Sequence, residues 1–173
     1  MVKIEKAQIE DLEVIALLGR LTWYESHGPY VEDKNDVTKY LNENFSISTT
    51  TNNIKNPNIQ YYIVYVDDLP AGYAKIVLNK PQENIESLKN CQLERIFILN
   101  EFIPLRIGQK LMSYVEEQAK ELRLDTMWLS VYIKNKRAIR FYERNDYKNV
   151  GELNFSVNDK LYENTVFAKS LVA

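Results

Sequence analysis

One segment of the sequence combines a strand, a short loop and the start of a helix in a way that suits an anionic ligand. The strand is Cys91 to Leu99, and the helix is an amphipathic stretch from Leu105 to Leu122. A helix N-terminus presents backbone N–H groups without intrahelical partners and the positive end of the helix dipole. Gly108 has no Cβ, so a ligand can approach the backbone closely there. The segment predicts a phosphate or pyrophosphate site.

A second segment, Asn135-Lys-Arg-Ala-Ile-Arg-Phe-Tyr-Glu-Arg-Asn-Asp-Tyr147, follows a short strand predicted from Thr126 to Val131. Positions 134–148 hold six basic residues, among them Arg137, and two acidic ones, a net charge of +4. This excess suits phosphate groups, and a solvated helix face is the alternative. The segment also places an amide side chain and a tyrosine on one helix.

Together these segments resemble the acetyl-CoA-dependent GNAT N-acetyltransferases. The resemblance rests on a strand followed by Asn-x-x-Ala-x-x-Phe-Tyr-Glu and Asn-Asp-Tyr, and on Leu69-Pro-Ala-Gly-Tyr73. It covers nearly the whole chain. Within the family, the chain length, the Trp23-Tyr-Glu-Ser segment and the ending Glu163-Asn-Thr-Val-Phe-Ala-Lys-Ser-Leu171 look most like bacterial polyamine acetyltransferases of the PaiA type.

The resemblance implies acetyl-CoA as cosubstrate and no metal. Backbone amides of Ile96 to Ile98 would hold the acetyl and pantetheine part in a gap between splayed strands, where an N–H can stabilise negative charge on the thioester oxygen. Asn135 is implied as a cofactor-contacting amide, and a helix N-cap is a role that it can hold as well. The implied cofactor-binding residues are Ile96, Phe97, Ile98, Arg106, Ile107, Gly108, Gln109, Lys110, Asn135, Arg137 and Tyr142.

The resemblance also implies direct acetyl transfer to an amine, with two residues that handle protons. Glu94 matches a glutamate that contacts the amine in related polyamine acetyltransferases, and we expect it to act as the base. Strand alternation places it with Ile96 and Ile98, where partial desolvation would raise its pKa; an edge carboxylate paired with Lys or Arg is the alternative. Tyr142 fits the family's general acid, which protonates the departing thiolate, and its alternative role is packing.

The loop before the helix departs from the family pattern. The family usually has Arg/Gln-x-x-Gly-x-Gly/Ala, whereas this chain has Ile103-Pro-Leu-Arg-Ile-Gly108. Ile103 replaces the leading polar residue, and Arg106 replaces the first glycine. Either Arg106 adds a positive charge to the pyrophosphate, or it fills the groove and lowers CoA affinity.

The acceptor side is expected to be acidic. Residues 25–43 contain five acidic residues and two lysines, a net charge of -3 with His27 neutral. Because the first two helices border the acceptor site in the family, this predicts a polycation such as spermidine, with Glu25, Glu32 and Glu94 as substrate-binding residues. Surface helices often carry such acids, so a solvated face is the alternative. His27 is interpreted as a surface imidazole, with a substrate contact as its alternative role.

The composition excludes several other classes. With 173 residues the chain is predicted to be a single domain over 1–173, and its net charge of -2 argues against a nucleic-acid partner. A single cysteine, Cys91, and a single histidine exclude a disulfide framework and a zinc site of several Cys or His ligands. No apolar run approaches the ~18 residues of a membrane span, and the N-terminus lacks a signal-peptide core, which predicts a cytoplasmic protein without a membrane partner.

Hydrophobic patterning predicts the element order β-α-α-β-β-β-α-β-α-β-β, with Ser46 to Asn58 as a surface loop or a helix end. This is an α/β (α+β) layer architecture. The resemblance specifies a GNAT fold with a mixed, mostly antiparallel sheet of six to seven strands and about four helices. Tyr61, Tyr62, Tyr65 and Tyr73 cluster on adjacent strands, which is compatible with a homodimer.

Three functional hypotheses follow. The first is an N-acetyltransferase that acts on a small amine acceptor, a polyamine such as spermidine or spermine. The second is acetylation of a protein N-terminus or lysine, which requires an open groove. The third is a non-catalytic CoA-sensing or interaction module with an altered phosphate loop. The sequence does not determine the acceptor, the acyl chain length or the oligomeric state.

Overall fold

The computed structural model describes residues 1–172. Within that range the chain forms seven strands and five α-helices. The strands are Val2–Lys6 (β1), Ile59–Val66 (β2), Leu69–Leu78 (β3), Asn90–Ile98 (β4), Thr126–Tyr132 (β5), Lys148–Val157 (β6) and Lys160–Ser170 (β7). The α-helices are Leu12–His27 (α1), Lys34–Asn44 (α2), Ile47–Lys55 (α3), Ile107–Glu121 (α4) and Lys136–Arg144 (α5).

The strands form one sheet in the order β1-β2-β3-β4-β5-β7-β6. Pairs β1–β2, β5–β7 and β6–β7 are antiparallel, whereas β4 and β5 are parallel. The parallel register runs from Asn90↔Thr126 to Gln92↔Trp128, and both strands continue beyond it. The predicted mixed, mostly antiparallel sheet is confirmed.

The structure has one more helix than the sequence analysis counted. Ser46 to Asn58 was expected to be a surface loop or a helix end, but Ile47–Lys55 forms α3. The side chain of Ser46 accepts a hydrogen bond from the backbone N–H of Thr49, which caps the helix N-terminus. Thr50 is buried. Tertiary burial and the cap therefore outweigh the weak helix propensity of a run of threonines and asparagines.

The helix after β4 begins two residues later than predicted. A short 3-10 helix, Asn100–Leu105, follows β4, and α4 starts only at Ile107. Pro104 lies inside the 3-10 helix. Arg106 follows with a left-handed backbone (φ 55°), which ends the 3-10 helix at Leu105 and separates it from α4.

Residues 1–76 and 95–115 form one compact unit. Its core joins α1 to β2 and β3 through Ile15, Leu18, Tyr61, Ile63 and Tyr73. Tyr61, Tyr62 and Tyr73 are each at most 2% exposed, so these rings stabilise the interior. Because three of the four clustered tyrosines are interior, they do not support a homodimer, which stays a prediction.

Residues 77–94 and the residues from 116 onward form a second compact unit. Buried side chains of β5 and β7, including Met127, Leu129 and Val166, build its interior. The long β6–β7 hairpin turns through Asn158 and Asp159, both with positive φ (45° and 68°). Asn and Asp tolerate this left-handed conformation, which two-residue hairpin turns require.

Candidate active site

Arg106 adopts an unusual backbone conformation immediately before α4. Its φ of 55° and ψ of 25° are left-handed, and its N–H donates to the carbonyl of Ile103 at 3.0 Å. The Arg106 side chain is exposed. A left-handed position favours glycine, and this is the position at which the GNAT pattern has its first glycine. The departure from that pattern leaves the turn intact and gives it an exposed positive charge.

Two glycines near the end of β4 differ in what surrounds them. A Cβ on Gly72 of β3 would lie 2.3 Å from the carbonyl oxygen of Phe97 and 2.6 Å from Cδ1 of Ile98, so the close approach of these strands requires glycine. A Cβ on Gly108 of α4 would meet only Cγ1 of Ile98, at an ordinary 3.6 Å. Protein packing therefore does not require glycine at 108, and this leaves space for a ligand.

The first turn of α4 presents backbone donors rather than a set of buried side chains. Ile107 is 1% exposed, so only its backbone is available to a ligand. Gln109 and Lys110 are exposed, and Gly108 is half-buried. Because the first N–H groups of a helix lack intrahelical partners, this turn can bind an anion. The phosphate site itself stays a prediction.

The end of β4 contacts the end of α1 through aromatic rings. Ile96, Phe97 and Ile98 are all half-buried. The Phe97 ring lies edge-on to the His27 imidazole, with 5.6 Å between ring centroids. His27 in turn stacks on Trp23 at 5.3 Å and 9°. The residues expected to hold the acyl group thus lie beside the last turn of α1.

His27 was expected to be a surface imidazole in a loop, and the structure corrects this. It is the last residue of α1, half-buried, and its Nδ1 lies 2.7 Å from Oγ of Ser26. Burial and, secondarily, the positive charge of Arg95 lower the pKa of His27 from 6.5 to about 4. The sequence carried one signal for this, because Trp23 and His27 are four residues apart and therefore share a helix face.

The three carboxylates that were predicted to bind the acceptor amine differ in their surroundings. Glu25 is half-buried, and its Oε2 accepts a hydrogen bond from the backbone N–H of Asn100 at 2.8 Å. Glu32 is exposed. Glu94 is exposed as well, which contradicts the expected partial desolvation. Strand alternation places Glu94 on the face of Ile96 correctly, but the alternation does not reveal that this point of the face is open to solvent.

Asn135 is confirmed as the N-cap of α5. Its Oδ1 accepts from the backbone N–H of Ala138 at 3.1 Å, which leaves the Nδ2 donor available to a ligand. Arg137 is exposed, as are Lys134, Lys136, Arg140, Arg144 and Lys148. The basic excess predicted for this segment is therefore a solvent-facing positive surface.

Tyr142 lies on α5 among aromatic rings of its own unit. Its ring centroid is 6.1 Å from that of Tyr147 and 6.5 Å from that of Phe167. The side chain is half-buried, and desolvation raises the pKa of its hydroxyl well above 10. Tyr142 is thus protonated throughout the neutral range, so its hydroxyl keeps a hydrogen to donate, while its ring also packs as the alternative interpretation expected.

Cys91 is a buried strand thiol, as predicted. Burial raises its pKa to about 12, which leaves no thiolate near neutral pH. Among residues 1–172, no three His, Cys, Asp or Glu side chains are arranged to bind a metal ion. Within the same residues, no helix is both long and apolar enough to cross a membrane.

A family profile described as "Acetyltransferase (GNAT) family" matches residues 21–147. The chain belongs to this family. It is therefore an N-acetyltransferase that uses acetyl-CoA as the acetyl donor, and the resemblance stated from the two sequence segments is confirmed. The profile spans both segments from which the resemblance was drawn, the turn at the start of α4 and the capped helix that carries Tyr142.

Relatives of the chain agree with this assignment. An uncharacterised N-acetyltransferase of Lactobacillus delbrueckii subsp. lactis, encoded in the pepI 3′ region, is 25% identical over 99% of this chain and 98% of its own length. A spermidine N(1)-acetyltransferase of Thermoplasma acidophilum is 25% identical over 85% of this chain and 88% of its own length. The crystal structure of the PaiA N-acetyltransferase of Thermoplasma acidophilum in complex with coenzyme A is similar in fold, with a TM-score of 0.74, 20% identity and coverage of 98% of this chain and 99% of that one.

Proposed function

We propose that this N-acetyltransferase transfers the acetyl group to a primary amine of a polyamine such as spermidine or spermine. The observation that carries the proposal is the match to the spermidine N(1)-acetyltransferase along 85% of this chain. The acidic residues between Glu25 and Glu43 support it, since a polycation is attracted by local negative charge. Glu25 and Glu32 are the carboxylates that we assign to the distant ammonium groups.

Acetyl transfer to a polyamine requires the loss of a proton. An alkylammonium has a pKa of about 10.4, so reaching the free amine at pH 7 costs roughly 4–5 kcal/mol. We assign Glu94 as the group that attracts the ammonium and accepts its proton. Its exposure supports this role, because an exposed carboxylate passes protons readily to bulk water. We expect Glu94→Gln to lower kcat for the amine by about 100-fold, within the usual contribution of acid–base groups.

The residues that we assign to acetyl-CoA provide donors suited to its groups. In the first unit, we assign the backbone of Ile107, Gly108, Gln109 and Lys110 to the pyrophosphate, and the exposed Arg106 adds positive charge. The N–H of Gln109 also donates to the carbonyl oxygen of Arg106 at 3.4 Å. The backbone of Ile96, Phe97 and Ile98 is assigned to the acetyl and pantetheine part. When bound, acetyl-CoA supplies an activated thioester.

In the second unit, we assign three further side chains to acetyl-CoA. Asn135 offers its Nδ2 donor, and the exposed Arg137 offers charge to a phosphate. Tyr142 donates a hydrogen bond to the sulfur that departs. Because the pKa of Tyr142 is raised, complete proton transfer from it is unfavourable, and the hydrogen bond itself is the contribution that we expect.

The test is a CoA-release assay with spermidine, spermine, shorter diamines, free amino acids and a lysine peptide as acceptors. We expect kcat/KM to be highest for spermidine or spermine. Turnover of the lysine peptide without turnover of any polyamine would replace the proposal with acetylation of protein. Tyr142→Phe should lower the turnover, whereas Tyr162→Phe, a matched control in the same unit, should not. This difference would show that the measured turnover comes from this protein and not from a contaminant.

The prediction of one domain over 1–173 stays a prediction, and so does a cytoplasmic location. Sedimentation of the purified chain measures the oligomeric state, for which the buried tyrosines offer no argument.

A further inference from the structure

The imidazole of His27 has one nitrogen in a defined hydrogen bond and one without. Nδ1 lies 2.7 Å from Oγ of Ser26, and this hydroxyl also lies 3.3 Å from the carbonyl oxygen of Trp23. Nε2 forms no hydrogen bond with any of residues 1–172. Nε2 is not among the buried side-chain atoms that lack a partner, so this nitrogen of the half-buried ring is open to solvent or to a ligand.

The contacts of Ser26 are compatible with a ring proton on Nδ1. In that tautomer the Ser26 hydroxyl donates to the carbonyl oxygen of Trp23, and Oγ accepts from the Nδ1–H of His27. Nε2 is then a lone-pair acceptor. In the opposite tautomer the hydroxyl donates to Nδ1, and Nε2 is a donor.

The imidazole is held rigidly at the end of β4. It stacks on Trp23, and Trp23 stacks on Tyr40 with 4.5 Å between centroids. Its other neighbour is Phe97, the middle residue of the three to which we assign the acyl group. Rigid rings on both sides reduce the entropy that the side chain loses when it binds a substrate.

The imidazole also remains uncharged at neutral pH. Arg95, which packs over the Phe45 ring at 4.3 Å, and burial of the ring both disfavour imidazolium. An imidazolium would repel a cationic acceptor and has no lone pair to offer. A neutral ring can accept a hydrogen bond from an ammonium or from the free amine.

We propose that Nε2 of His27 accepts a hydrogen bond from the acceptor amine and thereby orients its nitrogen toward the end of β4. The proposal rests on the assignment of the acyl group to Ile96–Ile98, but it holds for any primary amine and does not depend on the choice of a polyamine. His27 binds the substrate and does not serve as the base.

The first experiment uses the fact that the chain has a single histidine. Long-range 1H–15N correlation spectra of the full-length protein at pH 7 report the tautomer directly. We expect a neutral ring protonated at Nδ1, and a shift of the Nε2 signal when the amine with the highest turnover is added together with CoA. A ring protonated at Nε2, or an Nε2 signal that the amine leaves unchanged, overturns the proposal.

The second experiment separates binding from folding. His27→Phe keeps a ring against Trp23 and Phe97 but removes the acceptor, so we expect the KM of the amine to rise about tenfold. The KM of acetyl-CoA should stay within about twofold. His27→Gln, which restores an acceptor, should recover part of the loss, and Tyr24→Phe on the exposed face of the same helix should behave as wild type.

The experiments on His27 can be interpreted even if the proposed acetylation of polyamines is wrong. If polyamines are not acetylated, the same variants are measured with whichever amine is turned over. Equal increases in both KM values in His27→Phe indicate a structural role and overturn the proposal, as does a His27→Gln variant no better than His27→Phe.

Discussion

The carboxylate of Glu25 accepts a hydrogen bond from the backbone N–H of Asn100, with 2.8 Å between Oε2 and N. Asn100 begins the 3-10 helix that leads from β4 to α4. The first N–H groups of a helix lack partners within it, and a carboxylate there also meets the positive end of the peptide dipoles. Glu25 thus fixes the segment before the proposed phosphate turn, in addition to supplying negative charge.

Substitutions at Glu25 should separate these two contributions. Glu25→Gln keeps an oxygen acceptor and removes the charge, so we expect a KM for spermidine about threefold higher and an unchanged KM for acetyl-CoA. Glu25→Ala also removes the bond to Asn100 and should lower the free energy of unfolding by about 1 kcal/mol. Glu32→Gln, at an exposed position, is the matched control: it should change the KM for spermidine without changing stability. If the kinetics with spermidine are unchanged in both Gln variants, the hypothesis that acidic residues bind the acceptor is wrong.

Alanine at the two glycines should have opposite effects. In Gly72→Ala the new Cβ meets the backbone of Phe97, and we expect a loss of about 1–3 kcal/mol or more from the strain of overpacking. Gly108→Ala has room for its Cβ and improves helix propensity, so its stability should match or exceed that of wild type. We expect Gly108→Ala to weaken CoA binding about tenfold, or about 1.4 kcal/mol. Urea unfolding measures the stability of the two variants, and calorimetry with CoA measures the affinity. An undiminished CoA affinity in Gly108→Ala would argue against a phosphate contact at the backbone of Gly108.

Arg106 allows backbone strain to be separated from side-chain charge. Arg106→Gly and Arg106→Ala both remove the guanidinium, but only glycine adopts the observed φ of 55° without strain. We expect the glycine variant to be about 1 kcal/mol more stable than the alanine variant. Both variants should lower the CoA affinity by a similar factor of about two to five, which is the usual contribution of one exposed charge. The loss should be smaller at high salt, because salt screens the charge. CoA binding that improves in both variants would mean that Arg106 obstructs the site.

Tyr142→Phe should retain the ring packing and lose only the hydroxyl. We expect kcat to fall about 100-fold, with the KM of acetyl-CoA little changed. Because burial raises the pKa of Tyr142 above 10, its ionisation should produce no fall in the activity of the wild type between pH 6 and 9. Steady-state kinetics over this range, with Tyr162→Phe alongside, provide the measurement. Full activity of Tyr142→Phe would exclude a contribution from a hydrogen bond between its hydroxyl and the departing sulfur.

His27 should make the protein less stable in weak acid. Its pKa is lowered from 6.5 to about 4 on folding, so between these pH values the unfolded chain binds more protons than the folded protein. The free energy of unfolding therefore falls as the pH drops through this window. We expect His27 to contribute on the order of 2 kcal/mol to this loss of stability. This is less than the free energy that corresponds to the whole change in its pKa, because the ring is partly solvated.

The matching measurement is urea unfolding at pH 7 and pH 4.5. The difference between the two pH values should be smaller in His27→Phe than in wild type, while carboxylates titrate equally in both. The same difference in the two proteins would show that His27 titrates normally.

The sequence by itself determined the family, the seven strands and every α-helix except α3, because these depend on local patterns. The Asn-x-x-Ala-x-x-Phe-Tyr stretch, the strand before Gly108 and the helix after it are visible in consecutive residues. Only the tertiary structure decided that Glu94 is exposed, that Tyr61, Tyr62 and Tyr73 are buried, and that Ser46 to Asn58 contains a helix. Burial depends on which distant elements cover a residue, and periodicity gives its face but not what packs against it. The same reason explains His27: its ring is aligned by Ser26, Trp23 and Phe97, and Phe97 is 70 positions away along the chain.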